Sequence, residues 1–469
     1  MSMGQTRRAR GSKKGTGTFA VPQSQPPFSL AAEQVTRRGF LKGTAATAAA
    51  ILAGPRIISA KSPTEKLNIA SIGCGGRGGA HLGAAGRENL VALVDVEAAR
   101  VGRAGAKYRK AKRFSDYRKM FDEMHKDIDA VVVATPDHSH APASMMAIKL
   151  GKHVYCEKPL THSIHEARAL NEAAAEHKVA TQMGNQAHAG EGYRLLCEWV
   201  WAGAIGDVVE AHAWTDRPTG WWPQGVDRPK GAAQPPKGLD WDLWLGPAPQ
   251  RPYHPDTYHP RRWRGWLDFG TGALGDMGCH IMDGVFWALK LGAPTSIEAR
   301  TSGHNNDSYP AWSVTTYQFA ARGKMPPCKF VWHDAKRMPP RELAGLTGDR
   351  KYPSNGSLLV GRKGKILIAH GAGPRLLPEE LMRDFTRPDK TILRNRGGHF
   401  GEWITACKGG RAAMSNFSYS GPLTEMVLLG CLAQRVGRRI EWDAEKLKVT
   451  NVPEANQHVH REYRKGWVL

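Results

Sequence analysis

An apolar run over residues 67–72 feeds straight into Gly73-Cys74-Gly75-Gly76-Arg77-Gly78, and this junction restricts the fold more than any other stretch of the chain. A strand that ends in a glycine turn and reopens as a helix leaves backbone N–H groups free at the helix start, the usual seat of a dinucleotide pyrophosphate. Gly73 permits the tight turn, Gly75 lets the backbone approach the pyrophosphate, and Gly78 allows close packing of helix on strand. Gly76 and Arg77 complete the loop, Arg77 either pairing with phosphate or standing in solvent. Asp95 ends the next apolar run, where its carboxylate would accept from a ribose 2′-hydroxyl and repel a 2′-phosphate. The loop is therefore expected to hold NAD rather than NADP.

From residue 66 to about 184 strand-like and helix-like patterns alternate. Strands are expected over 67–72, 90–95, 130–135, 153–156 and 179–183, with helices over 79–87, 97–108, 117–125, 139–149 and 164–178. That alternation predicts a parallel, doubly wound sheet. Beyond about 205 the strand-like runs 207–214, 312–320, 329–333 and 365–370 and the helical patterns 280–291, 399–408 and 422–436 predict a mostly antiparallel sheet with helices on one side. At 469 residues the chain is too long for one compact core. The expected division is an arm over 1–60, a Rossmann domain over 61–187 and an α+β domain over 188–469 that includes the C-terminal tail.

Two further motifs fall on strand ends of the first sheet, where ligands collect in an open α/β fold. Thr135-Pro136-Asp137-His138-Ser139-His140 would reach a nicotinamide ribose, with His140 either touching cofactor or substrate or capping the following helix. Glu157-Lys158-Pro159 places a lysine beside the reacting carbon; Glu157 would position backbone or cofactor. Later, Asp276 and His280 are four residues apart in a helical pattern and share a face. Alone, that pair reads as a capped helix start with a partly buried histidine.

Taken together, the glycine loop, the Thr135-Pro136 loop, Glu157-Lys158-Pro159 and Gly275-Asp276-Met277-Gly278-Cys279-His280 resemble the Gfo/Idh/MocA oxidoreductase family from about residue 65 to the C-terminus. The resemblance implies a Rossmann domain followed by an α/β domain with a large open sheet that frequently mediates homodimers or homotetramers. It places the catalytic lysine on Lys158 and the family's Asp-x-x-x-His pair on Asp276 and His280. Oxidation of a secondary alcohol needs a base, a role that suits His280. Asp276 would orient the imidazole or grip a neighbouring hydroxyl, and Lys158 would stabilise charge developing on the reacting oxygen.

Sugar, glycoside or cyclic polyol is the expected substrate class. Asn185, Gln186 and His188 follow a strand on the ligand edge and offer amide and imidazole groups to hydroxyls. Nine of the 15 tryptophans fall between Trp199 and Trp266; Trp222 and Trp266 are candidates to face a pyranose ring, although most tryptophans pack in a core or an interface. Alternatives are a redox-neutral, NAD-dependent glycosidase or lyase using transient C3 oxidation, and a non-catalytic sugar-binding protein; intact Lys158, Asp276 and His280 argue against the second.

Thr36-Arg37-Arg38-Gly39-Phe40-Leu41-Lys42, followed by a mild alanine-rich run, resembles a twin-arginine export signal, and an exported dehydrogenase should leave the cytoplasm with its cofactor bound. The first 60 residues hold nine Lys/Arg against one acid, so the formal charge of +23 falls to +15 over the remainder, without a basic run that marks nucleic-acid binding. The apolar run is too short for stable membrane insertion. Seven cysteines without a CxxC spacing read as buried thiols, with neither a disulfide framework nor a metal site.

Overall fold

In the computed structural model of the chain the described residues are 62 and 64–469, apart from 304, 347 and 396. The twin-arginine segment lies outside them. The first sheet contains β1 (Asn68–Ile72), β2 (Asn89–Val94), β3 (Lys112–Phe114), β4 (Ala130–Val133), β5 (His153–Cys156) and β6 (Thr181–Met183), in the order β3-β2-β1-β4-β5-β6. All its pairings are parallel. A parallel sheet is covered on both faces, which is why β4 is an unbroken Ala-Val-Val-Val run with every residue buried. Each such valine contributes about 1.5–3 kcal/mol relative to its exposed state. Strand order reverses between β1 and β4, and the chain leaves the sheet in opposite directions there, opening a crevice beyond their carboxyl ends.

The second sheet contains β7 (Val208–Trp214), β8 (Ser296–Thr301), β9 (Ser313–Phe319), β10 (Cys328–His333), β11 (Gly356–Gly361), β12 (Lys365–Ala369), β13 (Pro374–Leu377), β14 (Ile440–Asp443) and β15 (Lys448–Val449). Their order is β13-β12-β11-β7-β10-β9-β8-β14-β15. Only β7 and β10 run parallel. Along β9, Ser313, Thr315, Tyr317 and Phe319 are buried while Val314, Thr316 and Gln318 are not, the period of two of a sheet with one covered face. The 20-residue helix Phe417–Val436 covers that face and also packs on helices Ile164–Glu176 and Gly272–Ile281. It thereby ties the second sheet to the first and holds the helix that carries Asp276 and His280.

Chain from beyond residue 188 also covers the first domain. Trp403, Ala406 and Cys407 of helix Gly398–Cys407 are buried among Leu67, Ile69 and Tyr155, with the Trp403 and Tyr155 rings 5.7 Å apart. A strap over residues 238–269 is sewn to the end of β2 by Ala98 N–H to Gly238 O (2.8 Å) and Asp240 N–H to Val96 O (2.9 Å). The tail holds the strap through Arg464 N–H to Pro247 O (3.0 Å), and Arg118 lies 4.2 Å over the Trp467 ring. Among the described residues no helix is long and apolar enough to cross a membrane. All seven cysteines are free and buried.

Candidate active site

A cavity of about 830 Å³ opens at the reversal point and runs from the glycine loop to the second domain. Its floor is the turn after β1. Gly73 has φ +90°, and a Cβ there would sit 2.6 Å from Ala134 O; a Cβ on Gly78 would sit 2.0 Å from Gly73 O. Helix Gly76–Ala85 begins here and aims its first N–H groups into the cavity end. Asp95 holds its carboxylate in place by accepting from Cys74 N–H (2.8 Å) and Glu97 N–H (3.0 Å). Thr135 Oγ1, also on the cavity wall, is buried with no hydrogen-bond partner, and a ligand hydroxyl would satisfy it. This cradle fits a dinucleotide whose ribose bears a free 2′-hydroxyl.

Gly78→Ala is expected to cost about 2–4 kcal/mol, because the clash is with backbone that cannot swing aside, and to abolish dinucleotide binding. Gly83→Ala, whose Cβ meets nothing within 4 Å, is expected to leave binding intact and to stabilise by about 0.5–1 kcal/mol. Urea unfolding and NAD titration of the two proteins check both.

Glu157 closes the cradle from β5. His81 Nε2 lies 2.5 Å from its Oε1, Gln186 Nε2 donates to the same oxygen at 3.0 Å, and Arg77 Nε stands at 3.4 Å. Burial pushes this carboxyl up, but His81 first and then Arg77 and Lys158 outweigh it and bring it down to about 2 from 4.5. A depressed carboxylate stabilises above its unfolded value, and the stabilisation is lost as pH falls through its folded value. Glu157 is therefore expected to contribute about 3 kcal/mol near neutrality, lost between pH 4.5 and 2. Thermal melts of wild type and Glu157→Gln over that window check it, the variant showing the shallower loss.

The chemistry-bearing groups meet at the far end. Lys158 Nζ donates to Asp276 Oδ1 (2.7 Å) and to Asp276 O (2.7 Å), and Arg264 Nε donates to the same Oδ1 at 2.9 Å. Burial alone would raise the Asp276 carboxyl, but the Lys158 and Arg264 charges hold it well below the usual range. One turn on, His280 also lines the cavity, and its Nδ1 is buried without a partner. Burial first, then the Lys158 charge, keep its imidazole well below its ordinary value and so neutral. Tyr193 O–H donates to His280 O (2.5 Å) and fixes the backbone of that turn. The arrangement offers a cationic donor and a neutral proton acceptor at one place on the cavity wall.

Two models describing halves of one oxidoreductase family match the chain: an NAD-binding Rossmann fold over residues 67–185 and a C-terminal alpha/beta domain over 219–331. This chain belongs to the Gfo/Idh/MocA oxidoreductase family. Among curated relatives, levoglucosan dehydrogenase of Pseudarthrobacter phenanthrenivorans is 26% identical over 36% of this chain and 34% of its own length. Inositol 2-dehydrogenase of Rubrobacter xylanophilus is 32% identical over 33% of this chain and 45% of its own. The chain thus spans less than half the length of these relatives. Two solved structures share the fold at low identity. The WlbA dehydrogenase of Bordetella pertussis, with NADH and UDP-GlcNAcA, has a TM-score of 0.56 at 18% identity over 81% of this chain and 99% of its own. Levoglucosan dehydrogenase with NADH and levoglucosan has 0.53 at 17% over 80% and 99%.

Within this Gfo/Idh/MocA chain the cavity gathers Gly73, Gly75, Gly76, Arg77, Asp95, Thr135, Pro136, His140, Glu157, Lys158, Asp276 and His280, together with Gln186 and Trp222. Gly78 is buried beneath it. Of the two roles expected for Asp276, orienting the imidazole does not occur: its Oδ1 serves Lys158 and Arg264 and it makes no hydrogen bond to His280, so it positions the lysine and keeps Oδ2 for a neighbouring hydroxyl. His140 donates from both ring nitrogens, to Pro159 O (2.8 Å) and Thr135 O (2.8 Å), and braces the two loops against each other; it has no nitrogen left for cofactor. Although burial opposes its charge, Cys156, Asp137 and the Pro159 carbonyl raise it to about 10, consistent with a doubly protonated ring.

Three expected substrate contacts lie elsewhere. Asn185 is fully buried, donating to Asp283 Oδ2 (3.0 Å) and accepting from Ser415 Oγ (2.6 Å). His188 pairs with the same carboxylate at 3.0 Å and stacks 4.3 Å from Trp287. Trp266 is 2% exposed in the strap's aromatic cluster, its indole N–H given to Thr257 O. None of the three lines the cavity. Conversely, Arg264, Trp221, Arg217 and His370 do line it and were not singled out as site residues. Arg264 carried a signal, as the one cation inside Trp263-Arg264-Gly265-Trp266.

Proposed function

We propose that the chain is an NAD-dependent dehydrogenase that oxidises a secondary hydroxyl of a sugar, glycoside or cyclic polyol. The observation that carries this is Lys158 and His280 meeting at the end of a dinucleotide cradle, one cationic and one held neutral. Bound NAD supplies the hydride acceptor. Lys158, steered by Asp276, donates a hydrogen bond to the reacting oxygen and stabilises negative charge as its proton leaves. His280 accepts that proton at an unprotonated ring nitrogen. Trp221 and Trp222, which also line the cavity, suit the C–H faces of a pyranose.

The same proposal takes the chain as exported by the twin-arginine route to the periplasm with its cofactor held captive, and as a homodimer or homotetramer. Captivity is supported by the strap and tail: Trp244 and His259 of the strap and Trp467 of the tail line the cavity beside Asp95 and Arg100, over the end where the ribose would lie. Protein purified without added cofactor is expected to release stoichiometric NAD(H) on denaturation, with the 340 nm signal changed by prior incubation with substrate. Protein that releases none and binds none on addition contradicts the dehydrogenase reading.

A further inference from the structure

On the substrate side of the cavity the charges are unequal. Lys158, Arg217, Arg261 and Arg264 face it, against Asp276, Asp137 and Glu157, of which Glu157 is already engaged by His81 and Arg77, while Asp216 pairs with Arg217. A single oxygen, Asp276 Oδ1, serves both Lys158 and Arg264, so these two cations share one carboxylate oxygen. Asp137 is buried behind the wall and accepts from Thr271 Oγ1 (2.7 Å), and burial raises it to about 6. Arg261 is exposed and has no ion-pair partner among the described residues.

Two of these cations are held flat and ready. Arg217 lies 3.6 Å over the Trp221 ring and spends one terminal nitrogen on Asp216, leaving Nε and the other terminal nitrogen unbonded. Arg264 lies 4.3 Å over Trp263 and spends Nε on Asp276 and one terminal nitrogen on Arg261 O, leaving its second terminal nitrogen unbonded. None of these unbonded nitrogens is sealed from the cavity or solvent. Planar guanidinium groups fixed by stacking lose little entropy on gripping an oxyanion and present paired donors to it.

We infer that the sugar accepted here carries an anionic substituent, a carboxylate or a sulfate ester, gripped by Arg217 and Arg264 while its ring lies against Trp221 and Trp222. The inference rests on the dehydrogenase reading above. The attraction is electrostatic and therefore salt-sensitive.

The test compares initial rates of NADH formation with D-glucuronate, D-glucose 6-sulfate and D-glucose on the intact holoenzyme. At least one of the charged sugars is expected to exceed glucose in kcat/KM by tenfold or more, through KM, with the advantage shrinking as salt is raised from 20 to 500 mM; whichever of the two does so identifies the oxyanion. Arg217→Gln is expected to collapse that ratio towards one. Glucose turned over as well as or better than both charged sugars overturns the inference while leaving the dehydrogenase standing, and so does a charged-to-neutral ratio unmoved by Arg217→Gln. Absence of turnover with all three overturns the inference, and the dehydrogenase reading falls with it only if the protein also releases no NAD(H) and binds none.

Discussion

Replacing Lys158 by Met is expected to lower kcat for alcohol oxidation by about 10²–10³, the size of effect seen when one preorganised donor to a developing oxyanion is lost. The expectation follows from placement. Nζ lies 2.7 Å from Asp276 Oδ1 at the end of β5, steered by a carboxylate that Arg264 also fixes. Removing the ammonium also leaves the buried Asp276 with one partner in place of two, at a cost of about 1–3 kcal/mol. Lys158→Arg separates the contributions. It restores a cation for Asp276 and so the melting temperature, but sets the donor in a different plane and leaves kcat low. Steady-state kinetics beside thermal melts of both variants check this; full rate in the methionine variant would assign Lys158 to structure alone, and full rate in the arginine variant would contradict the need for the lysine's own donor geometry.

His280→Gln is expected to lose about 10²–10⁴ in kcat/KM with little change in stability, because Nδ1 bonds nothing in the folded protein. The pH dependence has a definite sign. An imidazole held well below 6.5 by burial and by Lys158 stays in its accepting form as pH falls through 6. The acid limb of kcat/KM is therefore expected well below pH 6, whereas an unperturbed histidine would start losing rate near 6.5. The same depression makes the imidazole a weaker base, which the Lys158 hydrogen bond to the reacting oxygen offsets. A limb centred at pH 6.5–7 in the wild type would contradict this account of the base.

The sheet of the first domain was legible because β1, β2, β4 and β5 are apolar runs closed by glycine, aspartate or a motif, as two-sided burial requires. β3 was not: its three residues include two exposed basic ones and show no period. In the second domain β7, β9, β10 and β12 were legible as strand-like runs, of which β9 and β12 alternate buried and open positions. β8, β11, β13, β14 and β15 were missed: β13, β14 and β15 have four residues or fewer, β11 is a short apolar stretch between two glycines, and β8 keeps Glu298 and Arg300 on its open face. Helix Gly398–Cys407 was legible as a helix, but no local pattern says that Trp403 packs on Tyr155, some 250 positions earlier.

At the site, Lys158, Asp276 and His280 each sit in a short motif whose spacing survives folding. Asn185 and His188 were misread because an amide and an imidazole that suit sugar hydroxyls suit a buried carboxylate equally, and Asp283 claims both. Trp266 illustrates the same ambiguity for indoles: ring-stacking residues are also what fills the strap's core, and Trp266 stays buried there while Trp221, half exposed under Arg217, and Trp222 are among the indoles that line the cavity.

Hydride transfer to the bound dinucleotide tests the central claim most directly. Holoenzyme incubated with a sugar deuterated at each ring carbon in turn should yield NADH one mass unit heavier for a single labelled carbon, with Lys158→Met giving none on the same timescale. Unlabelled cofactor from every labelled sugar that is consumed, or equal labelling by Lys158→Met, would contradict it.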